Sequence, residues 1–501
     1  MTEKLLYAHM SGLWAQPDGP NTKPEYLGCH DLGDVANPRG DLTRVRRPNR
    51  AQTGEFRTRG SYRGAPGTPT VTVTTDLKAT ADYLEKMRCP ASIFVMSQSC
   101  GRRDVFLNYE RVTLLRNGSI TNEGLTGLAV ADEENKAVSR QSFDFGLEEV
   151  VRLYKLTAGR QVIGATGDLR AIHFCNPAIC AGECGPSAPV CTFGVAVGNS
   201  PAASVLLPGE VWITDDGGAT WVQAAADPFA ADEDIAAGVC FQVARDTTRI
   251  LVARGTTDVL NPAEVSYSDD EGATWTPVDV GSTDGQFVLD GEGLFVLDQY
   301  NIWLATNDGY IYKSEDGGLS WTAQESGVLA ATGWNAIEFV NEDDGWVVGD
   351  NNEIAVTEDG GTTWTAVTGP AGKAADEIEA LAVVTTNRVF IGFSDGQLWY
   401  TENKGEDWYR RPLPVAPSII NDIGFRVEDD HVGFLVYTTA AMSGGALRTF
   451  DGGYTWETVP GMPSNSGLMH LHVCDPNTMF AVGAVEPAQG GMGVVMKVYA
   501  S

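Results

Sequence analysis

A chain of 501 residues, 43% apolar and 20% charged, is long enough for two or more domains with cores of their own. Acidic residues outnumber basic ones by 66 to 35, a formal net charge of −31, which argues against nucleic acid or an anionic membrane as partner of the acidic part. No run approaches the roughly 18 uninterrupted apolar residues of a membrane span, and the opening MTEKLLYAHMSGLW has no apolar core of signal-peptide quality, so secretion by that route is not expected.

Charge divides the chain. Residues 1–147 carry 19 Lys plus Arg against 17 Asp plus Glu, which leaves 16 against 49 for the remainder. An acidic surface of that size keeps a protein soluble and self-repelling, as suits an exposed decoration. The near-neutral first part is predicted to be a separate domain, an assembly domain over 1–147.

Within it, residues 29–64 are rich in Gly, Pro and Arg and read as an extended arm or long loop. Arg44, Arg46, Arg47, Arg50, Arg57 and Arg59 are its assembly residues, either solvated or docked on an acidic neighbour; only Phe56 and Tyr62 interleave, which weakens a nucleic-acid reading. TPTVTVTTDL then alternates like a half-buried strand. In DLKATADYLEKMR an Asp suited to capping precedes Leu77, Ala81, Leu84 and Met87 near helical spacing, which predicts a helix over 76–88. ASIFVMSQSC, DVFLNYERVTLLRN and SRQSFDFGL supply further strands, so the domain is expected to be a small β-barrel or sandwich with one helix.

This order, an irregular arm, strands, one helix and more strands, resembles the tail tube proteins of long-tailed bacteriophages. The resemblance implies hexameric rings of a self-associating subunit, sheets joined into a continuous inner barrel, and arms reaching the next ring. It further implies a virion component assembled in the host cytoplasm, with nucleic acid as a contact only if the lumen conducts DNA. Without it, a cytoplasmic protein is expected.

Downstream the texture changes. EEVVRLYKL (148–156) has strand-like apolar residues, and FCNPAICAGECGPSAPVC follows with Cys175, Cys180, Cys184 and Cys191. Their spacing, C-x4-C-x3-C-x6-C, matches no established zinc pattern, so disulfides, a metal held by four thiolates and free thiols all stay open. One eight-residue pattern then recurs six times: TDDGGATW (214–221), SDDEGATW (268–275), SEDGGLSW (314–321), TEDGGTTW (357–364), TENKGEDW (401–408) and TFDGGYTW (449–456). Its tryptophans are 54, 46, 43, 44 and 48 residues apart, the period of a repeat architecture with one supersecondary unit per copy.

Each position has a task in a tight turn between strands. Asp216, Asp270, Asp316, Asp359 and Asp451 can accept backbone N–H bonds within their own turns. Gly218, Gly272, Gly318, Gly361 and Gly453 can take a positive φ. Trp221, Trp275, Trp321, Trp364, Trp408 and Trp456 carry apolar surface into the packing between units. In the fifth copy Asn403 and Asp407 replace Asp and Thr, so weaker hydrogen bonding is expected there.

The pattern resembles the Asp-box, or bacterial neuraminidase repeat, of β-propellers. That family places the box between the third and fourth strands of a blade, on the outer rim. Between boxes, runs such as AIEFVNEDDGWVVGDNNEIAVTEDGGTTW supply three strands each, as a four-stranded blade requires. The tail after the last box has three more strand-like runs, so an all-β, seven-bladed propeller over 148–501 is expected, its last blade closed by a strand near 149–156.

No catalytic, cofactor-binding or metal residue is assigned. Sialidases share the Asp-box propeller and imply three converging arginines, but LRAIHFCNP offers Arg170 without the Phe-Arg-Ile-Pro segment. His470 and His472 would share one face of a strand, and packing or surface is the preferred role for both. Trp334 and Trp346 could stack on sugars, with blade-core packing preferred. Photosystem assembly factors also use a seven-bladed Asp-box propeller, which implies a protein partner. Altogether the expectation is a non-enzymatic phage tail tube subunit with an acidic propeller displayed outward toward a host-surface glycan or protein. The alternative is a soluble propeller binding or assembly-factor protein, and behind it a sialidase-like hydrolase.

Overall fold

The computed structural model describes the strands of residues 10–154 by their backbone and residues 156–500 in greater detail, apart from 176–190, 200–208, 230–233, 256–262, 283–287, 325–332, 486–491 and shorter segments. Two compact units result, Met1–Lys155 and Leu156–Ser501.

The first unit contains β1 (Met10–Pro17), β2 (Glu25–Leu32), β3 (Leu42–Pro48), β4 (Phe56–Arg63), β5 (Thr70–Thr75), β6 (Ala91–Met96), β7 (Arg111–Val130), β8 (Ala137–Gly146) and β9 (Glu149–Tyr154). Seven of them form one sheet in the order β6-β1-β2-β5-β8-β7-β9, with β6 also paired to β7. The alternating TVTVTT lies antiparallel to β8, from Thr70 opposite Gly146 to Thr75 opposite Gln141. The Arg-rich stretch is not one irregular arm. Residues 29–32 belong to β2, and β3 and β4 pair as a separate two-stranded ribbon with Arg47 opposite Arg57. The helix expected over 76–88 lies outside the described residues.

The second unit is a seven-bladed propeller of four-stranded antiparallel sheets. Blade one comprises Leu169–Cys175, Phe193–Gly198, Glu210–Thr214 and Val222–Gln223; blade two Asp234–Ala244, Thr247–Gly255, Glu264–Ser268 and Thr276–Asp279. Blade three comprises Leu294–Asp298, Asn301–Ala305, Ile311–Ser314 and Thr322–Ala323; blade four Trp334–Phe339, Gly345–Gly349, Glu353–Thr357 and Thr365–Thr368. Blade five comprises Ile378–Val383, Val389–Phe393, Leu398–Thr401 and Tyr409–Arg411; blade six Ile419–Arg426, Asp429–Thr438, Gly444–Thr449 and Glu457–Thr458. Blade seven takes Ser466–Asp475, Thr478–Val485 and Met492–Ala500 from the C-terminus and Leu156–Gln161 from upstream. Innermost strands follow one another around the ring, and that of blade seven meets that of blade one.

The closing strand is therefore shifted from the expected one. Glu149–Tyr154 pairs with β7 in the first unit, Val150 opposite Leu115. Leu156–Gln161 pairs with the C-terminal strand, Leu156 opposite Ala500 and Gln161 opposite Val495. EVVRLY is the more apolar of the two segments, but the outer strand of a blade needs little apolar surface: LTAGRQ buries Leu156 fully and leaves its other residues partly exposed. Closure also explains why seven blades carry six boxes. In blade seven the third and fourth strands lie at opposite ends of the unit, so no turn joins them.

Cores form between blades rather than within them. Trp303 of blade three stacks on Phe339 of blade four with ring centroids 3.6 Å apart, and Trp364 of blade four meets Phe339 edge-on at 6.0 Å. Trp334 and Trp346, 1% and 2% exposed, are core residues that no sugar could reach. Each large side chain buried this way contributes roughly 1.5–3 kcal/mol.

Candidate functional site

The six boxes join third to fourth strands and act as joints to the preceding blade. In the first, Asp216 Oδ1 accepts from the N–H groups of Ala219 and Thr220 at 2.9 and 2.8 Å, and Oδ2 from the Thr220 hydroxyl at 2.7 Å. The Thr220 N–H and hydroxyl above all hold the Asp216 carboxyl down at about 2. Asp451 departs from this pattern: its carboxyl is fully enclosed, and burial outweighs the same bonds and raises it. In the fifth copy polarity is exchanged. Asn403 Nδ2 donates to Asp407 Oδ2 at 3.0 Å and Asn403 Oδ1 accepts from Asp407 N at 3.0 Å, so the turn keeps its main-chain bond and reverses donor and acceptor only in the side-chain pair.

The glycine at the fifth position of each box has φ between +74° and +94° and sits on a side chain of the blade before it. Gly218 rests on Phe480, Gly318 on Leu251, Gly361 on Trp303 and Gly453 on Phe390, where a Cβ would come within 2.5 Å of Phe480 or 2.4 Å of Phe390. The first glycine's carbonyl is taken by a donor from the same neighbour: Arg249 Nη1 at Gly317, Trp303 Nε1 at Gly360, Arg388 at Gly452 and Lys497 Nζ at Gly217. The boxes are thus structural.

The central channel is crossed by chain. An innermost strand has a partner on one side only, so N–H groups on its other edge need acceptors. Side chains supply them: Glu338 Oε2 accepts from Val383 N at 2.7 Å, Asp422 Oδ2 from Leu471 N at 2.6 Å and His470 Nδ1 from Ile172 N at 3.4 Å. The buried turn Gly291–Gly293, before blade three's inner strand, reaches blade five through Glu292 Oε2 on Leu381 N at 3.1 Å. On its other side Gly291 lies against Arg170 O, Ala171 and His470 of blades one and seven. Burial, with Asp422 adding and the Val383 N–H opposing, pushes the Glu338 carboxyl up to about 8.

Among the described residues, a groove of about 500 Å³ is lined by Asp395–Leu398, Arg410–Leu413 and Val415–Pro417, between the outer strands of blade five and the entry to blade six. Its floor is apolar through Leu398, Leu413, Val415 and Pro417, and its charge comes from Arg410 and Arg411. Asp395 is matched by Lys373, which also meets Asp376 at 3.1 Å. Arg411 lies over the rings of Tyr400 and Tyr454, 4.1 and 4.7 Å from their centroids, and its buried Nε has no hydrogen-bond partner among the described residues. Arg410, the next residue on a strand and so on the opposite face, is exposed. Neither residue stood out in sequence except as an adjacent pair of arginines; strand alternation and the loop to blade six make the groove.

The arginines singled out in sequence stand apart from one another in the described structure. Arg249 forks onto Asp269 with both bonds at 2.7 Å, Arg170 meets the Asn199 side-chain oxygen on blade one, and Arg410 and Arg411 stand on blade five. The cysteines pair outside their sequence cluster: Cys175 with Cys240 and Cys191 with Cys474, which ties blades seven, one and two together. Cys180 and Cys184 lie outside the described residues.

A family model described as "Photosynthesis system II assembly factor YCF48" matches residues 334–424, which span blades four and five and the start of blade six. No curated protein matches the chain. Similar solved structures include YCF48 bound to D1 peptide, at 17% identity and TM-score 0.47, covering 69% of this chain and 97% of that one. YCF48 from Cyanidioschyzon merolae gives 16% and 0.48, covering 68% and 98%. The GH74 xyloglucanase from Xanthomonas campestris gives 15% and 0.46, covering 65% and 52%. Likenesses of this size carry no functional inference. The family-model match, however, overturns the tail tube expectation, since the family it points to is described as an assembly factor and not as a virion component. The phage resemblance rested on the order of strands and one helix, without a motif.

Proposed function

We propose that the propeller is a non-enzymatic protein-binding module of the assembly-factor kind, and that the groove between blades five and six receives a partner segment presenting a carboxylate beside apolar residues. The observation that carries this is coincidence of place: the family match covers 334–424, and the groove is built from 395–417 within it. Its chemistry points the same way. In a unit with 14 basic against 47 acidic residues over 156–501, an exposed guanidinium over an apolar floor is a local exception. A planar guanidinium pairs bidentately with a carboxylate. For the first unit, the pairing of β6 with both β1 and β7 supports closure of its sheet into a barrel.

The experiment is an array of short apolar peptides without acidic side chains, each as free acid and as C-terminal amide, probed with labelled full-length protein. Free acids should be retained and their amides lost, with Arg410→Glu abolishing retention. Equal retention of acids and amides, or none of either, would contradict the proposal.

A further inference from the structure

The innermost strands of blades one and seven carry the same tripeptide pattern in the same register, His173-Phe174-Cys175 and His472-Val473-Cys474. In each, the histidine stands two residues after pairing resumes beyond the strand's bulge, at Ala171 and at His470. Residues i and i+2 of a strand project from one face, so each blade offers an imidazole and a sulfur together. The two blades bring the histidine rings to 5.0 Å, edge to face. Cys191 arrives just ahead of blade one's second strand. Its Sγ, a His472 ring nitrogen and Cys474 Sγ all lie within 4.8 Å of one another. Cys240 N donates to His173 Nδ1 at 3.3 Å, which leaves Nε2 as the nitrogen for another partner.

Two sulfurs and an imidazole nitrogen in so compact a set, with a second imidazole beside it, suit a tetrahedral, thiophilic cation. Cys191 and Cys474 are joined as a disulfide in this structure, so the donors become available on reduction. We propose that reduction of the Cys191–Cys474 bond converts this cluster into a site for a zinc-class divalent cation, held by Cys191, Cys474 and His472, with His173 as the fourth ligand. The redox step balances with a phosphine reductant: the phosphine takes oxygen from water and becomes its oxide, the S–S bond takes up two electrons and the two protons of that water, and the cation then displaces both thiol protons. The link between blades one and seven is covalent in the oxidised protein and metal-mediated in the reduced one.

The test uses full-length protein, reduced with a phosphine, and cobalt(II) as the probe. One equivalent should produce thiolate-to-cobalt charge-transfer and tetrahedral ligand-field absorption, which zinc then bleaches; unreduced protein should show neither. His472→Ala and Cys474→Ser should each weaken cobalt binding by about tenfold or more, whereas the Cys180→Ser/Cys184→Ser double variant should bind as wild type. Absence of thiolate–cobalt absorption in the reduced protein, or absorption that follows Cys180 and Cys184 instead of His472, overturns the proposal. Circular dichroism covers the case in which reduction unfolds the ring: recovery of the native signal on adding cobalt supports the site, and failure to recover overturns it.

Discussion

Replacing Gly218 by alanine should cost far more than replacing Gly372, although both have strongly positive φ, +74° and +84°. The backbone term is common to the two: an L residue in the left-handed region costs about 1–2 kcal/mol, partly offset by about 0.4–1 kcal/mol from the stiffer unfolded chain. The surroundings differ. A Cβ at Gly372 meets nothing within 4 Å, whereas one at Gly218 stands 2.5 Å from Phe480 Cε1. Phe480 is 1% exposed and packed at a tilt against Phe174 with centroids 4.4 Å apart, so its ring has nowhere to go. Overpacking of this kind adds about 1–3 kcal/mol. Gly372→Ala should therefore lower stability by about 1 kcal/mol and Gly218→Ala by about 2–4 kcal/mol. Urea unfolding of the full-length protein, at unchanged slope, reads the difference. If both variants lose the same amount, the second glycine of the box serves its φ alone and the joint between blades is wrongly described.

Asn403→Asp should destabilise the fifth box by setting two carboxylates against each other, and adding Asp407→Thr should restore it; a double-mutant cycle shows the coupling. Glu338 takes up a proton on folding between its ordinary value of 4.5 and about 8, so its contribution is fully present below 4.5 and is lost as pH rises towards 8. That loss is at most about 5 kcal/mol, and less where lumen water reaches the carboxyl. Glu338→Gln should flatten the decline in denaturation midpoints measured between pH 5 and 8. Removing the Cys175–Cys240 link, whose residues are 65 apart in sequence, should lower stability by up to about 4 kcal/mol on the loop-entropy account, seen as a lower melting temperature of a Cys175→Ser/Cys240→Ser variant.

Repeats were the most legible feature. Six copies of one turn at a 43–54-residue period specify blades because each copy must solve the same local problem, a reversal with buried donors. Ring closure was legible in kind but misplaced, since EVVRLY and LTAGRQ are adjacent and both can be strands. The weaker bonding expected of Asn403 and Asp407 proved to be an exchange of donor and acceptor, visible only once both side chains are placed. Cysteine pairing lay beyond sequence because the partners of Cys175 and Cys191 are 65 and 283 residues away. So did the groove, which arises where blade five's last strand turns into blade six. The ribbon of β3 and β4 read as a loop because arginine, glycine and proline mask its alternation.

The most direct measurement is titration calorimetry of a free-acid peptide selected from the array against wild-type protein and an Arg410→Ala variant. Arg410 is exposed and outside the blade core, so its removal leaves the fold intact. A charged hydrogen-bonding pair contributes about 1.5–3 kcal/mol, so the variant should bind about 10- to 150-fold more weakly, and the amidated peptide should lose a similar factor. Equal affinity in wild type and variant would place the partner surface elsewhere on the propeller and contradict the account.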